Sequence, residues 1–237
     1  TLPTGIDKNG RDRTAVCCLS SLNLEKYDEW KDDNVMINDV MRFLDNVLTD
    51  FIERAPEQFD DAKYSAEKER SVGLGVMGFH SYLQQHSIPL ESVMSKAWNK
   101  KIFKHIQEHV DQASKDLADE RGACPDAADY GFNERFSNKT AIAPTASISI
   151  ICGGASPGVE PVAANSYTHK TLSGSFNVRN RYLVELLEKH GKNNDDVWSG
   201  ITTNEGSVSH LDFLTDLEKD VFKTAFELDQ KWIIELS

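Results

Sequence analysis

Two places in this chain carry residue types and spacings that suit chemistry. The first is Ala143-Pro144-Thr145-Ala146-Ser147-Ile148-Ser149. A strand, a proline that fixes the turn and a short helix opening among small hydroxyl residues would aim unpaired backbone N–H groups outward, and an anion would sit there. Thr145, Ser147 and Ser149 add hydroxyls, and Ala146 is small enough to let a phosphate approach the backbone. Helix capping by Thr145 or Ser147 accounts for the same residues equally well. The glycine pattern and lysine of a Walker A loop are absent. The second place is the adjacent pair Cys17 and Cys18 in the apolar run Ala15–Leu19, closed by Ser20 and Ser21. The run reads as a buried strand, whose alternation sends the two thiols to opposite faces. Only one can then face a given pocket, which disfavours a disulfide between them and a metal site using both. Inert packing is the usual role of a thiol on such a strand. Cys124, between Gly122 and Pro125, reads as a loop residue with no partner in view, and Cys152 as a packing residue.

Seven histidines invite a metal search. His105 and His109 share one helix face at i, i+4 spacing, which can chelate a metal. The residues between them, Ile106, Gln107 and Glu108, do not give HExxH, and the surrounding Lys and Glu residues read as a solvated face, so no metal site is assigned. Glu160, between Gly158 and Pro161, suits structure or substrate binding alike.

The elements that must position these residues follow from periodicity. From Asn34 to Arg54 the residues Met36, Val40, Phe43, Leu44, Val47, Leu48 and Phe51 recur as one helix face, stopped by Pro56. Gly73, Gly75 and Gly78 punctuate Arg70–Phe79 and suggest close backbone approach, and Phe79, Tyr82 and Leu83 look like a helix face. Ser95 to Arg121 reads as a long charged amphipathic helix ended by Gly122, with a solvated polar face. Lys139–Ala143 reads as a strand, Ile148–Ile151 as a brief helix before a wide turn, Tyr182–His190 as a helix ended by Gly191, and about 216–228 as the last clear helix. Strands alternating with helices favour an α/β architecture with a parallel sheet or barrel.

Composition narrows the function classes. The 237 residues fit one ordinary domain or two small ones. With 38 acidic against 26 basic residues and a net charge of −12, bulk nucleic-acid binding is disfavoured. No window approaches the run of about 18 apolar residues that a membrane span needs, and mean hydropathy is −0.47. Thr1 to Gly10 carries no apolar signal-peptide core, so a cytoplasmic protein is expected. Four cysteines without a CxxC pair fit neither a secreted disulfide scaffold nor a zinc site. The chain opens at Thr1 without Met and closes at Ser237 in an apolar, helix-like stretch, and it reads as a piece of something longer.

Three stretches together resemble the large, catalytic subunit of ribonucleotide reductase. Ala15-Val16-Cys17-Cys18-Leu19-Ser20-Ser21-Leu22-Asn23-Leu24 resembles the family's barrel strand that bears one of two redox-active cysteines. Arg70-Ser71-Val72-Gly73-Leu74-Gly75-Val76-Met77-Gly78-Phe79 resembles its glycine-punctuated segment. Residues 143–149, followed by Ser156-Pro157-Gly158-Val159-Glu160-Pro161, resemble its substrate-diphosphate loop. The order and approximate separations match along essentially the whole chain.

The resemblance implies a ten-stranded α/β barrel of two parallel five-stranded halves running antiparallel to each other, with a finger loop through the centre. Residues 1–237 would then form a single partial barrel domain, much of the second half, without the finger loop, the N-terminal regulatory region or the C-terminal cysteine tail. It implies that Cys17 is a member of the cysteine pair that reduces the ribose 2' carbon, and that Pro144, Thr145, Ala146, Ser147 and Ile148 hold the nucleotide diphosphate. The family's Asn, Cys and Glu at alternate positions, its second redox cysteine and its paired relay tyrosines are not found in these residues. Residues 167–176 and 219–232 look more like class I enzymes, which reduce ribonucleoside diphosphates. An adenosylcobalamin-dependent class II fragment, or a noncatalytic nucleotide-binding or assembly module, is the alternative. The class I resemblance implies no cofactor bound by this chain itself, a thiyl radical generated through a metal-containing small (beta) subunit, and thioredoxin or glutaredoxin as reductant. It also implies ATP/dNTP regulatory sites outside the chain, the remaining segments of the large subunit as partners, and a homodimeric alpha subunit.

Overall fold

Residue spacing sets most of the helices, and tight backbone approach sets the strands. The computed structural model describes residues 4–171 and 174–236. The expected comparison stretch 167–176 therefore includes Leu172 and Ser173, which lie outside the described residues, as do Thr1 to Pro3 and Ser237. Helix α1 (Tyr27–Trp30) is one turn; α2 (Met36–Arg54), α3 (Asp60–Glu69), α4 (Phe79–Gln85), α5 (Val93–Arg121), α6 (Pro125–Ala128) and α7 (Ile148–Ile151) follow. Beyond them lie α8 (Arg181–Lys189), α9 (Asp195–Thr203), α10 (Asp216–Val221) and α11 (Gln230–Leu236). The strands are β1 (Gly5–Ile6) with β2 (Asp12–Arg13), β3 (Leu19–Asn23) with β4 (Gly73–Met77), and β5 (Ser166–Thr171) with β6 (Gly174–Arg179). Contacts group the chain into two units. One holds the residues up to Leu22, Tyr27–Val76 and Ile102–Pro144; the other holds Asn23–Lys26, Met77–Lys101 and the residues from Thr145 onward.

In the first unit the backbone of β4 is flanked on both sides. Gly73 N–H donates to the Cys18 carbonyl at 2.9 Å, and Leu74 forms a parallel bridge with Thr140. The two glycines are there because no side chain fits. A Cβ on Gly75 would overlap the Ala141 carbonyl oxygen, and one on Gly73 would lie 2.7 Å from the Ala141 Cβ. The expected strand at 139–143 is thus reduced to a bridge at Thr140. The expected strand at 15–19 starts later, at Leu19, which leaves Cys17 and Cys18 in the approach to it.

Helix α2 buries Ile37, Met41, Leu44, Asp45 and Leu48, a stripe rotated from the expected one, with Phe43 and Val47 exposed. The rotation follows from Asp45, which is fully buried and draws three arginines to it. Arg70 reaches it at 2.7 Å, Arg121 at 2.8 Å and Arg135 at 2.9 Å. Burial opposes its ionisation, yet hydrogen bonds from Arg135 and the charge of Arg70 hold its carboxyl below the ordinary range. Helix α5 agrees with its expected span, and its Ile102, Ile106, Val110, Ala113 and Leu117 are buried.

In the second unit α8, α9 and α10 gather around Trp198, with Leu183, Leu187, Ile201, Leu211, Leu214 and Phe222. Their starts are capped. Asn180 accepts from Tyr182 N, Asn194 from Val197 N, and Thr215 and Glu218 form a capping box. The last expected helix ends at Val221, earlier than Leu228, because the chain turns through 224–229 before α11. Among the described residues no helix is long and apolar enough to cross a membrane.

Candidate functional site

Cys17 and Pro144 fall in the first unit, and Thr145, Ala146, Ser147 and Ile148 in the second, so the thiol and most of the loop belong to different units. Cys17 is exposed and Cys18 is buried, although both precede the strand. The Cys18 thiol lies 3.7 Å from the Leu44 carbonyl, and burial, aided by neighbouring Cys17, pushes its pKa up. Cys18 is therefore a protonated packing residue, and Cys17 is the thiol of this pair open to a reaction partner.

The loop is built on α4. Gly78 N–H donates to the Ser156 carbonyl at 2.7 Å, and Ser81 and Ser156 exchange backbone-to-hydroxyl bonds at 3.1 and 2.9 Å. Val162 N–H donates to His80 Nδ1 at 3.1 Å. His80 is wholly buried, and burial alone draws its pKa down to about 4, so it stays neutral with its proton on Nε2. The strap 156–162 is thus fixed to α4, and it in turn fixes the loop, because Gly158 N–H donates to the Thr145 hydroxyl at 2.7 Å.

Thr145 is buried with φ +54°, a strained value for a β-branched residue. Its hydroxyl points inward as an acceptor, which corrects the expectation of an outward donor. Ser149 is buried too, so it adds no outward hydroxyl. Ala146, Ser147 and Ile148 are exposed, and among the described residues none of their N–H groups has an acceptor. The expected helix 148–151 is present as the single turn of α7, and Ser147 makes no side-chain cap. The loop therefore offers three unspent backbone donors and the Ser147 hydroxyl, held from behind by Thr145.

Three other sequence expectations change. Cys152 is exposed rather than packed, and Cys124 is fully buried at the start of α6, where burial raises its pKa. His105 is not on a solvated face. It stacks on Trp30 with ring centroids 6.1 Å apart, and its Nδ1 lies 3.2 Å from the Tyr27 hydroxyl, while His109 Nδ1 donates to the His105 carbonyl. Among the described residues no group of three or more His, Cys, Asp and Glu is arranged to hold a metal. Sequence reasoning does not single out His80, Ser81 or Ser156 as supports of the loop. The signal available for them is a histidine and a serine placed directly after the Gly78 helix start. A cleft of about 520 Å³ in the first unit, lined by Asp7, Arg13, Asp126, Tyr130 and Lys139 among others, holds none of the expected site residues.

The family model for the ribonucleotide reductase barrel domain matches residues 6–134 and 126–237. The chain belongs to the ribonucleotide reductase large-subunit family. It is 52% identical over 227 residues to the ribonucleoside-diphosphate reductase large subunit of Invertebrate iridescent virus 6, covering 94% of this chain and 24% of that protein. It is 27% identical to the corresponding large subunit of Caenorhabditis elegans, covering 98% of this chain and 33% of that one. The Actinobacillus ureae class Id ribonucleotide reductase alpha subunit superposes with a TM-score of 0.86 at 39% identity, over 97% of this chain and 42% of that chain. The chain thus spans about a quarter to two fifths of the length of these relatives. The mixed helices and strands agree with the expected part of the family's α/β barrel.

Proposed function

We infer that this chain is the part of a ribonucleoside-diphosphate reductase large subunit that supplies one redox cysteine and the substrate-diphosphate loop. The observation that carries the reading is the pairing of family membership with a loop whose three exposed N–H groups have no acceptor among the described residues. Ala146, Ser147 and Ile148 would donate to phosphate oxygens, Thr145 and Pro144 would hold the turn, and the Ser147 hydroxyl would add a further donor. Cys17, open where Cys18 is buried, would be one of two thiols that are oxidised to a disulfide as the ribose 2' hydroxyl leaves as water, a balanced two-electron reduction.

The second thiol, and the cysteine radical that activates the 3' position, are not supplied by these residues. The proposed partners are accordingly the rest of the large subunit, a radical-generating small subunit of the class I kind, and a thioredoxin or glutaredoxin that re-reduces the disulfide. Residues 1–237 would form part of one barrel domain in a homodimeric, cytoplasmic alpha subunit. The structural likeness to a class Id alpha subunit favours class I over the adenosylcobalamin-dependent alternative. Equilibrium binding of CDP and of cytidine to the complete large subunit tests the loop assignment. CDP bound at least about tenfold more tightly supports it, and equal affinities overturn it.

A further inference from the structure

We propose that Arg181 is a positioning residue for the diphosphate loop, holding the loop's exit through the Gly153 carbonyl while Glu25 and Tyr182 orient its guanidinium. The inference rests on the loop reading above. The entry of the loop is fixed by the Thr145 hydroxyl on Gly158 N–H, but its exit follows the single turn of α7 into Cys152, Gly153 and Gly154, all exposed. Arg181 Nη2 donates to the Gly153 carbonyl oxygen. The same nitrogen lies 3.5 Å from Glu25 Oε2. Glu25 is a carboxylate with its side chain only 4% exposed, and its other oxygen accepts from the Tyr182 hydroxyl at 2.9 Å. One carboxylate thus binds both the arginine and the tyrosine.

The backbone beneath Arg181 is equally fixed. Asn180 caps α8 through Tyr182 N, and its amide donates to Asn165 Oδ1 and Gln84 Oε1, each at 2.9 Å. Gly153 completes the fit. Its φ is +94°, and a Cβ there would come within 3.3 Å of Arg181 Nη2, so a side chain would be strained and would crowd the guanidinium. Burial and the charge of Glu25 push the Tyr182 phenol far up, so it remains a donor across the working pH range. Three backbone donors bind a diphosphate well only if their mutual geometry is held before the ligand arrives. Releasing the exit leaves the donors present but disordered, which weakens ground-state binding without touching the reacting atoms.

The test uses the complete large subunit assembled with its radical-generating subunit, with steady-state CDP reduction as the readout. Arg181→Ala raises KM for CDP about tenfold, the loss of a charged hydrogen bond, with kcat within about twofold. Arg181→Lys, which still donates to a carbonyl, recovers a part of that loss. Tyr182→Phe keeps the ring and its packing and removes only the hydroxyl that donates to Glu25, so it raises KM in the same direction by a smaller factor. Wild-type KM in Tyr182→Phe and Arg181→Ala, or a fall in kcat at unchanged KM, overturns the proposal. A wild-type enzyme that binds CDP no better than cytidine overturns instead the loop reading on which it rests.

Discussion

His80 gives the fold an acid-sensitive joint directly behind the loop at 143–149. Its ordinary pKa of 6.5 falls to about 4 in the folded protein through burial. The unfolded chain therefore takes up a proton before the folded one does, and stability falls as pH falls from about 6.5 through about 4. The separation corresponds to about 3.4 kcal/mol when complete, of which about 2.5 kcal/mol is lost by pH 4.5. Protonation also removes the acceptor for Val162 N–H and so loosens the strap that ends on Thr145. Asparagine retains an acceptor and cannot titrate. Urea unfolding followed by tryptophan fluorescence, with Trp198 in the core of the same unit, measures the effect at pH 7.5 and 4.5 for wild type and His80→Asn. Comparing the two proteins is necessary because Glu69 acts in the opposite sense. Burial raises its carboxyl to about 7, so its contribution is present below about 4.5 and is lost as pH rises through 7. Wild type should lose about 2.5 kcal/mol more than His80→Asn over this interval. Equal losses would refute the reasoning.

Three further outcomes follow from the packing. Asp45→Ala leaves Arg70, Arg121 and Arg135 facing one another without their carboxylate and should cost about 3 to 5 kcal/mol, read as a Tm lower by at least about 6 °C in a thermal melt. Glu69→Gln replaces a buried carboxyl whose Oε2 has no partner, and it should stabilise the protein by about 2 to 3 kcal/mol at pH 8 while changing little at pH 5, measured by urea unfolding at the two pH values. Gly75→Ala forces a methyl into the Ala141 carbonyl and should destabilise by at least about 1 to 3 kcal/mol in urea unfolding, whereas alanine at exposed Gly131 meets no atom within 4 Å and is opposed only by the positive φ of 77° there.

Long helices were legible because their spacing is dictated by burial, and α2 and α5 lie within two residues of their expected spans. The face of α2 was not, since a pattern of apolar residues cannot reveal that Asp45 turns inward to meet three arginines from distant segments. The glycines at 73 and 75 announced close backbone approach, and the backbone of Ala141 is what approaches. Helices α3 and α9 and the β5–β6 hairpin escaped notice. Helix α3 is too polar to show a clear stripe, α9 interrupts its stripe with Ser199 and Gly200, and β6 is largely exposed, without alternation between buried and exposed faces. The loop at 143–149 stood out as a candidate anion site from its residue types. Its supports on α4 did not, because hydrogen bonds such as that of Val162 to His80 join residues 82 positions apart.

In the proposed function Cys17 carries electrons to the ribose while its neighbour Cys18 only packs. The direct measurement is CDP reduction by the complete large subunit with its radical-generating subunit and a dithiol reductant, comparing wild type, Cys17→Ser and Cys18→Ala. Cys17→Ser should abolish dCDP formation while leaving the Tm within about 2 °C of wild type, since the side chain is exposed. Cys18→Ala should keep turnover and lose stability instead. Turnover at the wild-type rate in Cys17→Ser would contradict the account.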